Sequence, residues 1–433
     1  MPAAEFKEAG GRHQAVRMDC SAVNTHHPKE IAPDGQFPIR LRVDDDGRLV
    51  VYVSGMTQPR HTLSDAERLD WIRLIRTENV GPITFHRLLE QYGSARAALD
   101  ALPDLARRGG RTKPLRIASK AEAEREMQAN RRFGARLICA CEPDYPEPLA
   151  AVDDAPPVIS VAGHAHLLRR RAVAIVGARN ASLNAKKFAE SLARELGAAG
   201  LLVVSGLARG IDTAAHAGSV AGGTAAVLAG GIDVVYPPEN EGLYRDIVAQ
   251  GVVVAESAIG TQPQARHFPR RNRLISGLSL GVLVVEAALR SGSLITARMA
   301  LEQGREVMAV PGSPLDPRCH GTNNLLRQGA TLVERADDVL HAIENLRPRT
   351  LAERPRDLFS AAGLVPGPTA EPDESDLAKA RALVLENLGP SPVTIDELVR
   401  GCQLSAPVVL TVVLELELAG RVQRLPGHQV SLA

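Results

Sequence analysis

The sequence has 433 residues, of which 45% are hydrophobic and 23% are charged, and its formal net charge is +1. A chain of this length is expected to form roughly three domains with buried cores. The nearly balanced charge excludes attraction of a polyanion by the molecule as a whole, so any binding of nucleic acid requires a local basic patch.

Cysteine spacing and apolar runs indicate the cellular environment. The five cysteines show neither CxxC spacing nor a histidine cluster suited to zinc, so we expect a reducing cytoplasm, no metal and no cofactor. The first residues lack the apolar segment of a signal peptide. The longest apolar run, residues 278–285, is far shorter than a membrane span, so we expect no membrane contact.

Two segments precede the main domain. Residues 1–60 are predicted to form an N-terminal extension with a small hairpin, because two alternating runs flank the turn residues Asp46 and Gly47. Residues 61–135 are predicted to form a helical module similar to a helix-hairpin-helix or SAM domain, with Ser64 capping one helix and Gly81-Pro82 preceding another. A phosphate-binding role and a packing role for this module both remain open.

Residues 136–345 are predicted to form a Rossmann-like domain. From residue 172 onward, strand-like runs such as VAIVG, LLVVSG and GVLVVEA alternate with segments of helical length. This alternation is typical of a doubly wound parallel sheet, in which ligands bind outside the carboxyl ends of the strands. We therefore expect the functional residues in the turns that follow the strands.

Those turns are rich in small residues. Glycine and serine turns allow backbone N–H groups and helix N-termini to approach anionic oxygens, which favours phosphate binding. The predicted contacts in these turns are Gly177, Ala178, Arg179, Ser205, Gly206, Gly230, Gly231, Ser291, Gly292 and Ser293.

A basic segment precedes the strand near residue 282. Four arginines lie within eight residues, no acid lies among them, and one aromatic residue stands inside the run. Binding to a nucleic-acid backbone with stacking of its bases needs both residue types, whereas a solvated helix face usually alternates in sign. In a parallel sheet the start of this helix reaches the same edge as the glycine turns. The predicted contacts here are Arg266, His267, Phe268, Arg270, Arg271, Asn272 and Arg273.

The C-terminal region is predicted to contain a linker, residues 346–375, and a winged helix, residues 376–433. A winged helix that reads duplex DNA carries its contacting side chains on the third helix. The corresponding segment, SAPVVLTVVLELELAG, contains two glutamates and neither lysine nor arginine. A protein contact or stabilisation of a dimer is therefore expected in place of duplex readout.

A set of motifs between residues 173 and 333 resembles the DNA-processing protein A family (DprA/Smf). The motifs are IVGARNAS, VSGLARGIDTAAH, AVLAGGIDVVYPPEN, HFPRRNRLISGLS, VVEAALRSGSLITARMALEQGREVMAVPG and GTNNLLRQGA. The resemblance implies a Rossmann-like protein without catalytic activity that binds single-stranded DNA, forms a homodimer and delivers the DNA to the RecA recombinase during natural transformation. It also implies DNA contacts at Arg179, at the Ser205-Gly206 turn and at Phe268 with its basic neighbours. Where many members carry lysine, this sequence has Ala265 followed by Arg266.

Two enzyme classes have short motifs that this sequence partly matches. A nicotinamide dehydrogenase requires G-x-G-x-x-G, but Arg179 stands where a glycine is needed. The GLSLG segment around Ser279 matches the nucleophile motif of serine hydrolases, but it precedes a strand instead of following one. Asp212 and His216, four residues apart, are more typical of helix capping and packing than of an acid–base pair.

The main alternative is a nucleotide N-glycoside hydrolase of the related lysine-decarboxylase-like group. That chemistry uses a catalytic glutamate in the corresponding turn, and residues 291–301 contain no acid. A purely structural, partner-binding protein is disfavoured by the basic aromatic segment. The sequence thus predicts a non-catalytic mediator of recombination with an α/β fold: a Rossmann-like doubly wound parallel sheet between an N-terminal helical module and a C-terminal winged helix.

Overall fold

The structure is a computed structural model that describes residues 39–43, 49–53, 60–344, 346, 374–425 and 429–433. The chain divides into two compact units, residues 1–56 and 57–433. In the first unit, strands β1 (Ile39–Val43) and β2 (Leu49–Val53) pair antiparallel. The turn that the sequence predicts between them lies outside the described residues.

The second unit begins with a helical module. Its helices are α1 (Asp65–Ile75), α2 (Pro82–Tyr92), α3 (Ala95–Arg108) and α4 (Lys120–Phe133). Ser64 and Ser119 each cap a helix by accepting a hydrogen bond from a backbone N–H of its first turn. Helix α2 begins with Pro82, which has no N–H to leave unsatisfied at that position. Inside the module, the rings of Trp71 and Phe85 pack edge to face with centroids 4.9 Å apart.

A large sheet forms the core of the second unit. Its strands are β3 (Arg136–Cys139), β4 (Val158–Gly163), β5 (Ala172–Val176), β6 (Leu202–Ser205), β7 (Thr224–Leu228), β8 (Val252–Ala255), β9 (Gly281–Val284), β10 (Glu306–Ala309) and β11 (Thr331–Leu332). Their order in the sheet is β11-β10-β9-β5-β6-β7-β8-β4-β3. Strands β5 to β11 pair in parallel, while β3 and β4 form an antiparallel edge. The parallel strands confirm the predicted doubly wound fold.

Helices cover both faces of this sheet. They are α5 (Glu147–Ala150), α6 (Leu183–Ala198), α7 (Ile211–Ser219), α8 (Glu241–Gln250), α9 (His267–Gly277), α10 (Ser293–Glu302), α11 (His320–Arg327) and α12 (Ala336–Glu344). Short 3-10 turns span Ala165–Arg169, Pro238–Asn240 and Pro317–Cys319. Helices α6 and α7 pack on one face and α9 and α10 on the other.

The strand order reverses direction at β5. From β5 the chain proceeds through β6, β7 and β8 to one side, and then crosses to β9 on the other side. In open α/β sheets the ligand crevice lies at such a switch point, outside the carboxyl ends of the strands. The loops after β5 and β9, together with the start of α9, are therefore where the topology predicts a ligand site.

The winged helix forms its own small core. Its elements are α13 (Glu374–Glu386), β12 (Val393–Thr394), α14 (Ile395–Cys402), α15 (Ala406–Leu418), β13 (Val422–Leu425) and β14 (Gln429–Leu432). The described strands form a sheet in the order β12-β14-β13. The sequence predicted a two-stranded wing, and the short strand β12 extends it by pairing with β14.

The third helix of the winged helix, α15, packs against the helical module. Leu414 and Leu418 belong to the same buried cluster as the core of that module. The Asn79 side chain donates a hydrogen bond of 3.2 Å to the Leu418 carbonyl oxygen. A side chain at Gly109 would collide with the Glu415 backbone, so the glycine allows a close approach. The surface that would enter a DNA groove is thus partly covered within the chain.

In the described residues, no single helix has both the length and the apolar composition needed to cross a membrane. Helices α14 and α15 meet that test only together, and they are bent by 114° at the break between them. In α15, Val412, Val413 and Leu416 lie in the core of the winged helix.

Candidate nucleic-acid interface

Three side chains from separate segments of the chain meet at the carboxyl edge of the sheet. The Arg179 guanidinium lies 5.0 Å from the centroid of the Phe268 ring. On the same ring, Tyr236 packs at a centroid distance of 5.7 Å with an interplanar angle of 58°. Arg179 follows β5, Tyr236 follows β7 and Phe268 lies in the first turn of α9. We call these three residues the aromatic rim.

The aromatic rim is accessible to solvent. Tyr236 is 49% exposed, Arg179 is exposed and Phe268 is half-buried. A guanidinium over a ring holds the ring in place through a cation–π interaction, and the half-buried Phe268 keeps part of its surface exposed. The arrangement offers a flat apolar surface beside a positive charge, which suits the stacking of a nucleobase next to its phosphate.

Two further cations stand beside the aromatic rim. Arg266 and Arg270 are exposed, and within the described part of the chain neither side chain forms a hydrogen bond or an ion pair with another residue. They lie four residues apart, which places them on the same side of the first turn of α9. Partial burial, followed by the charges of Arg266 and Arg270, lowers the pKa of His267. Its Nδ1 atom accepts a hydrogen bond of 3.2 Å from the Gln264 N–H.

Arg271 differs from the sequence expectation of a solvent-facing phosphate contact. Its side chain is buried, and Nη1 donates hydrogen bonds of 2.5 Å to the carbonyl oxygens of Gly206 and Val227. Burial lowers its pKa to about 10, although the carboxylate of Asp212 acts in the opposite direction. The helical turn directs Arg271 inward, where it joins α9 to the ends of β6 and β7.

Arg273 also departs from that expectation. It is buried, donates to the Glu256 carboxylate at 2.5 Å and lies 3.4 Å from the Asp154 carboxylate. The basic segment contains no acid of its own, but the fold supplies acids from distant positions. Asn272 is half-buried and donates 3.5 Å to the Gly292 carbonyl oxygen, which joins α9 to the loop after β9.

Hydrogen bonds to Glu286 fix the turn after β5. The Ala178 N–H donates to the Glu286 carbonyl oxygen at 2.6 Å. The Glu286 carboxylate accepts hydrogen bonds from the Ser182 N–H at 3.0 Å and from Ser182 Oγ at 2.7 Å. A Cβ atom at Gly177 would lie 2.6 Å from the Ile211 side chain, so this position requires glycine. These contacts fix the backbone from which Arg179 projects.

Four of the predicted contacts lie beneath the surface: Ser205, Gly206, Gly230 and Gly231 are all buried. The Ser205 Oγ donates to the Ile175 carbonyl oxygen at 2.7 Å. The N–H of Gly206 donates to Asp212 at 3.2 Å, and that of Gly231 donates to Thr261 at 2.9 Å. The N–H groups of Gly206 and Gly231 are thus already bonded within the protein, the first to the Asp212 carboxylate of α7 and the second to the Thr261 carbonyl oxygen. We assign these residues a structural role, in which their hydrogen bonds fix the turns near the aromatic rim.

The loop after β9 reaches the same edge of the sheet. Gly292 is exposed, whereas Ser291 is half-buried and Ser293 is buried, with their Oγ atoms 2.7 Å apart. The neighbouring Arg290 is exposed, and sequence reasoning missed it together with Tyr236. Both residues follow strands at the predicted functional edge, and that position was the signal available in the sequence.

The side chains considered for catalysis are inside the protein. His216 is fully buried with Nδ1 2.7 Å from Thr224 Oγ1, and burial, followed by Arg271, lowers its pKa to about 3. Ser279 is fully buried and its Oγ donates to the Ile275 carbonyl oxygen at 2.9 Å. Asp212, also buried, binds backbone N–H groups of the β6–α7 turn. Among the described residues, no group of three or more His, Cys, Asp or Glu side chains is placed to hold a metal ion.

Comparison with known proteins agrees with this architecture. Three family models match the chain: DNA recombination-mediator protein A over residues 136–344, a DprA-like N-terminal HHH domain over residues 65–129, and a DprA winged helix domain over residues 368–428.

Individual relatives match over large parts of the chain. The Smf protein of Escherichia coli K12 is 40% identical over 301 residues, which cover 68% of this chain and 77% of the relative. DprA of Bacillus subtilis is 42% identical over 222 residues, 51% of this chain and 75% of the relative. The X-ray structure of DprA from Streptococcus pneumoniae is 36% identical, has a TM-score of 0.53 and covers 63% of this chain and 95% of its own. With these matches and the fold described above, the chain belongs to the DNA-processing protein A (DprA/Smf) family.

Proposed function

We propose that this protein binds single-stranded DNA at the aromatic rim and delivers it to the RecA recombinase, as a mediator of recombination and natural transformation. The observation that carries the proposal is the convergence of Arg179, Tyr236 and Phe268, with the exposed Arg266 and Arg270 beside them. Stacking surfaces with cations next to them are the usual means of binding single strands without sequence preference.

The geometry favours single strands over duplexes for a physical reason. An aromatic ring stacks on a base only if the face of that base is free, and both faces are covered inside a duplex. The cations bind phosphates of either form, so discrimination comes from Phe268 and Tyr236. Because the net charge is only +1, the arginines near the aromatic rim supply the attraction locally.

The proposed role is non-catalytic and takes place in the cytoplasm. The loop after β9 carries no acid between residues 291 and 301, and the buried Asp212, His216 and Ser279 are removed from any substrate. The proposal also includes a homodimer, which the family resemblance implies. Light scattering in solution tests this part directly: a mass of twice 46.2 kDa supports it, and a mass of 46.2 kDa at micromolar protein contradicts it.

Delivery to RecA is tested by the rate at which RecA covers a labelled single-stranded oligonucleotide, measured with and without this protein. We expect acceleration by the wild type and none by the Phe268→Ala variant. Phe133→Ala is the matched control, because Phe133 is an exposed phenylalanine at the end of α4, outside the aromatic rim. Equal rates with and without the wild-type protein would contradict the proposed delivery to RecA. Single-strand binding itself is tested separately, by titration with an oligonucleotide.

A further inference from the structure

A cleft of about 250 Å³ separates the helical module from the carboxyl edge of the sheet. The end of α1 and the start of α2 form one wall, the ends of β7 and β8 form the floor, and the first turns of α9 form the opposite wall. Its volume lies just below the roughly 300–1,000 Å³ of pockets that hold drug-sized ligands. The cleft therefore has room for one flat ring system and not for a whole dinucleotide.

The lining combines apolar surface with polar groups at the edge. Ile75, Val80 and Leu274 supply apolar contact, while Ser257 and His267 supply hydroxyl and imidazole groups. Because Nδ1 of His267 accepts a hydrogen bond from the Gln264 N–H, the proton of the neutral ring is on Nε2, which is a donor. Apolar walls with a few hydrogen-bonding groups are the features that bind an unstacked nucleobase.

The cleft adjoins the aromatic rim through α9. His267 and Arg270 line the cleft, whereas Phe268, between them in sequence, contacts Arg179 and Tyr236. The first turn of α9 thus separates two binding surfaces. Arg270, exposed at the cleft, is placed to neutralise a phosphate between a base on one surface and a base on the other.

The two walls of the cleft are joined by partly buried polar contacts. Arg76, at the end of α1, forms a 2.8 Å ion pair with Glu126 of α4 and donates 3.2 Å to the Glu256 carbonyl oxygen, just after β8. Glu256 in turn pairs with Arg273 of α9. These contacts hold the helical module in register with the sheet, so the cleft is present before a ligand binds.

We propose that this cleft is a second base-binding site, which receives one nucleobase next to the base stacked on Phe268. The inference rests on the proposed single-strand binding and gives the helical module a direct part in it. A strand bound in this way turns around the first turn of α9 and inserts consecutive bases on its two sides. A base-binding role for the helical module also explains why the sequence around Gly81-Pro82 resembles a helix-hairpin-helix, although only part of that motif is present.

The test is to fill the cleft with a bulky side chain and to determine which base of the oligonucleotide is then no longer bound. At Gly81, a lining residue with φ of −91°, an added Cβ meets no atom within 4 Å, so the backbone tolerates a side chain there. Gly81→Phe places a ring in the cleft. Gly242→Phe is the matched control, because an added Cβ at this exposed glycine of α8 also meets nothing within 4 Å.

The readout uses the shortest oligonucleotide that binds the wild type fully, with one abasic position moved along it. We expect two adjacent abasic positions each to weaken wild-type binding by about tenfold. Phe268→Ala should abolish the sensitivity at one of them and Gly81→Phe at the other, while Gly242→Phe retains both. A thermal melt accompanies each variant, and His267→Ala replaces Gly81→Phe if that protein does not fold.

The outcomes separate the two proposals. A single sensitive position in the wild type, or two positions that Gly81→Phe and His267→Ala leave unchanged, overturns the cleft as a base site while single-strand binding stands. A wild-type protein that binds no single strand overturns the proposed function itself.

Discussion

At the scale of single residues, the arginines of the basic segment divide into two groups. Arg266 and Arg270 are exposed, whereas Arg271 and Arg273 are buried with protein partners. Sequence alone treats them as one cluster, because the residues that accept hydrogen bonds from the buried pair lie far away in the chain. The two groups predict different effects of substitution.

For the exposed group and its neighbour Arg179, we predict a loss of binding without a loss of stability. Arg179→Ala should weaken single-strand binding and reduce the slope of log affinity against log salt by about 0.7, the contribution of one phosphate contact. Because Arg179 is exposed, the melting temperature of the Arg179→Ala variant should stay close to that of the wild type. Titration at several salt concentrations, with a melt of the same sample, checks both parts. An unchanged slope would remove Arg179 from the interface.

For the buried group, we predict the opposite pattern. Arg271→Ala removes the donor for the Gly206 and Val227 carbonyl oxygens and leaves the nearby Asp212 without its cation. Leaving a buried hydrogen-bonding group without its partner costs about 1–3 kcal/mol of unfolding free energy per group. Chemical denaturation should therefore show a clear loss of stability. A fully stable Arg271→Ala protein with weakened DNA binding would restore the original expectation of a direct phosphate contact.

The aromatic residues give a third prediction. Phe268→Ala should weaken single-strand binding by about 1–3 kcal/mol through the loss of base stacking. A phenylalanine that filled the core would instead cost roughly 3–5 kcal/mol of stability on the same substitution. Tyr236→Ala should weaken binding in the same direction, because Tyr236 contacts the Phe268 ring and is exposed. Binding and melting curves on both variants distinguish stacking from packing.

At the scale of elements, the sequence predicted the sheet well and the contacts between modules poorly. The runs that became β5 to β11 are short, apolar and separated by helical segments, so their parallel pairing follows from local pattern. The approach of Tyr236 and Arg179 to Phe268 depends on loops 32 to 89 residues apart in the chain, for which no local pattern exists. The packing of α15 on the helical module is equally non-local, because it depends on Gly109 and the shared cluster of Leu414 and Leu418.

The position of α15 modifies what truncation of the winged helix should do. A protein that ends at Asp357 keeps the aromatic rim and its cations, so its affinity for single strands should stay within about tenfold of the full chain. The same truncation exposes the apolar surface that Leu414 and Leu418 cover, so it should lower the melting temperature. Binding titration and thermal melts test the two effects separately. A larger loss of affinity from a folded truncated protein would show that the winged helix contacts DNA.

At the scale of the whole molecule, the charge distribution decides what kind of partner can bind. A net charge of +1 gives little long-range attraction, so affinity must come from the few arginines at the aromatic rim and from stacking. Such a protein should show a modest salt dependence and a large preference for unpaired bases. A protein that acts through a broad basic face would show a steep salt dependence on duplex and single strand alike.

The central claim is that base stacking at the aromatic rim, supported by nearby arginines, selects single-stranded DNA. The most direct measurement is a titration of the wild type and Phe268→Ala with a single-stranded oligonucleotide and its duplex at two salt concentrations. We predict that the wild type binds the single strand much more tightly than the duplex, and that Phe268→Ala loses most of this preference while its weak duplex binding is unchanged. Equal affinity of the wild type for both forms, or an undiminished preference in Phe268→Ala, would contradict the claim.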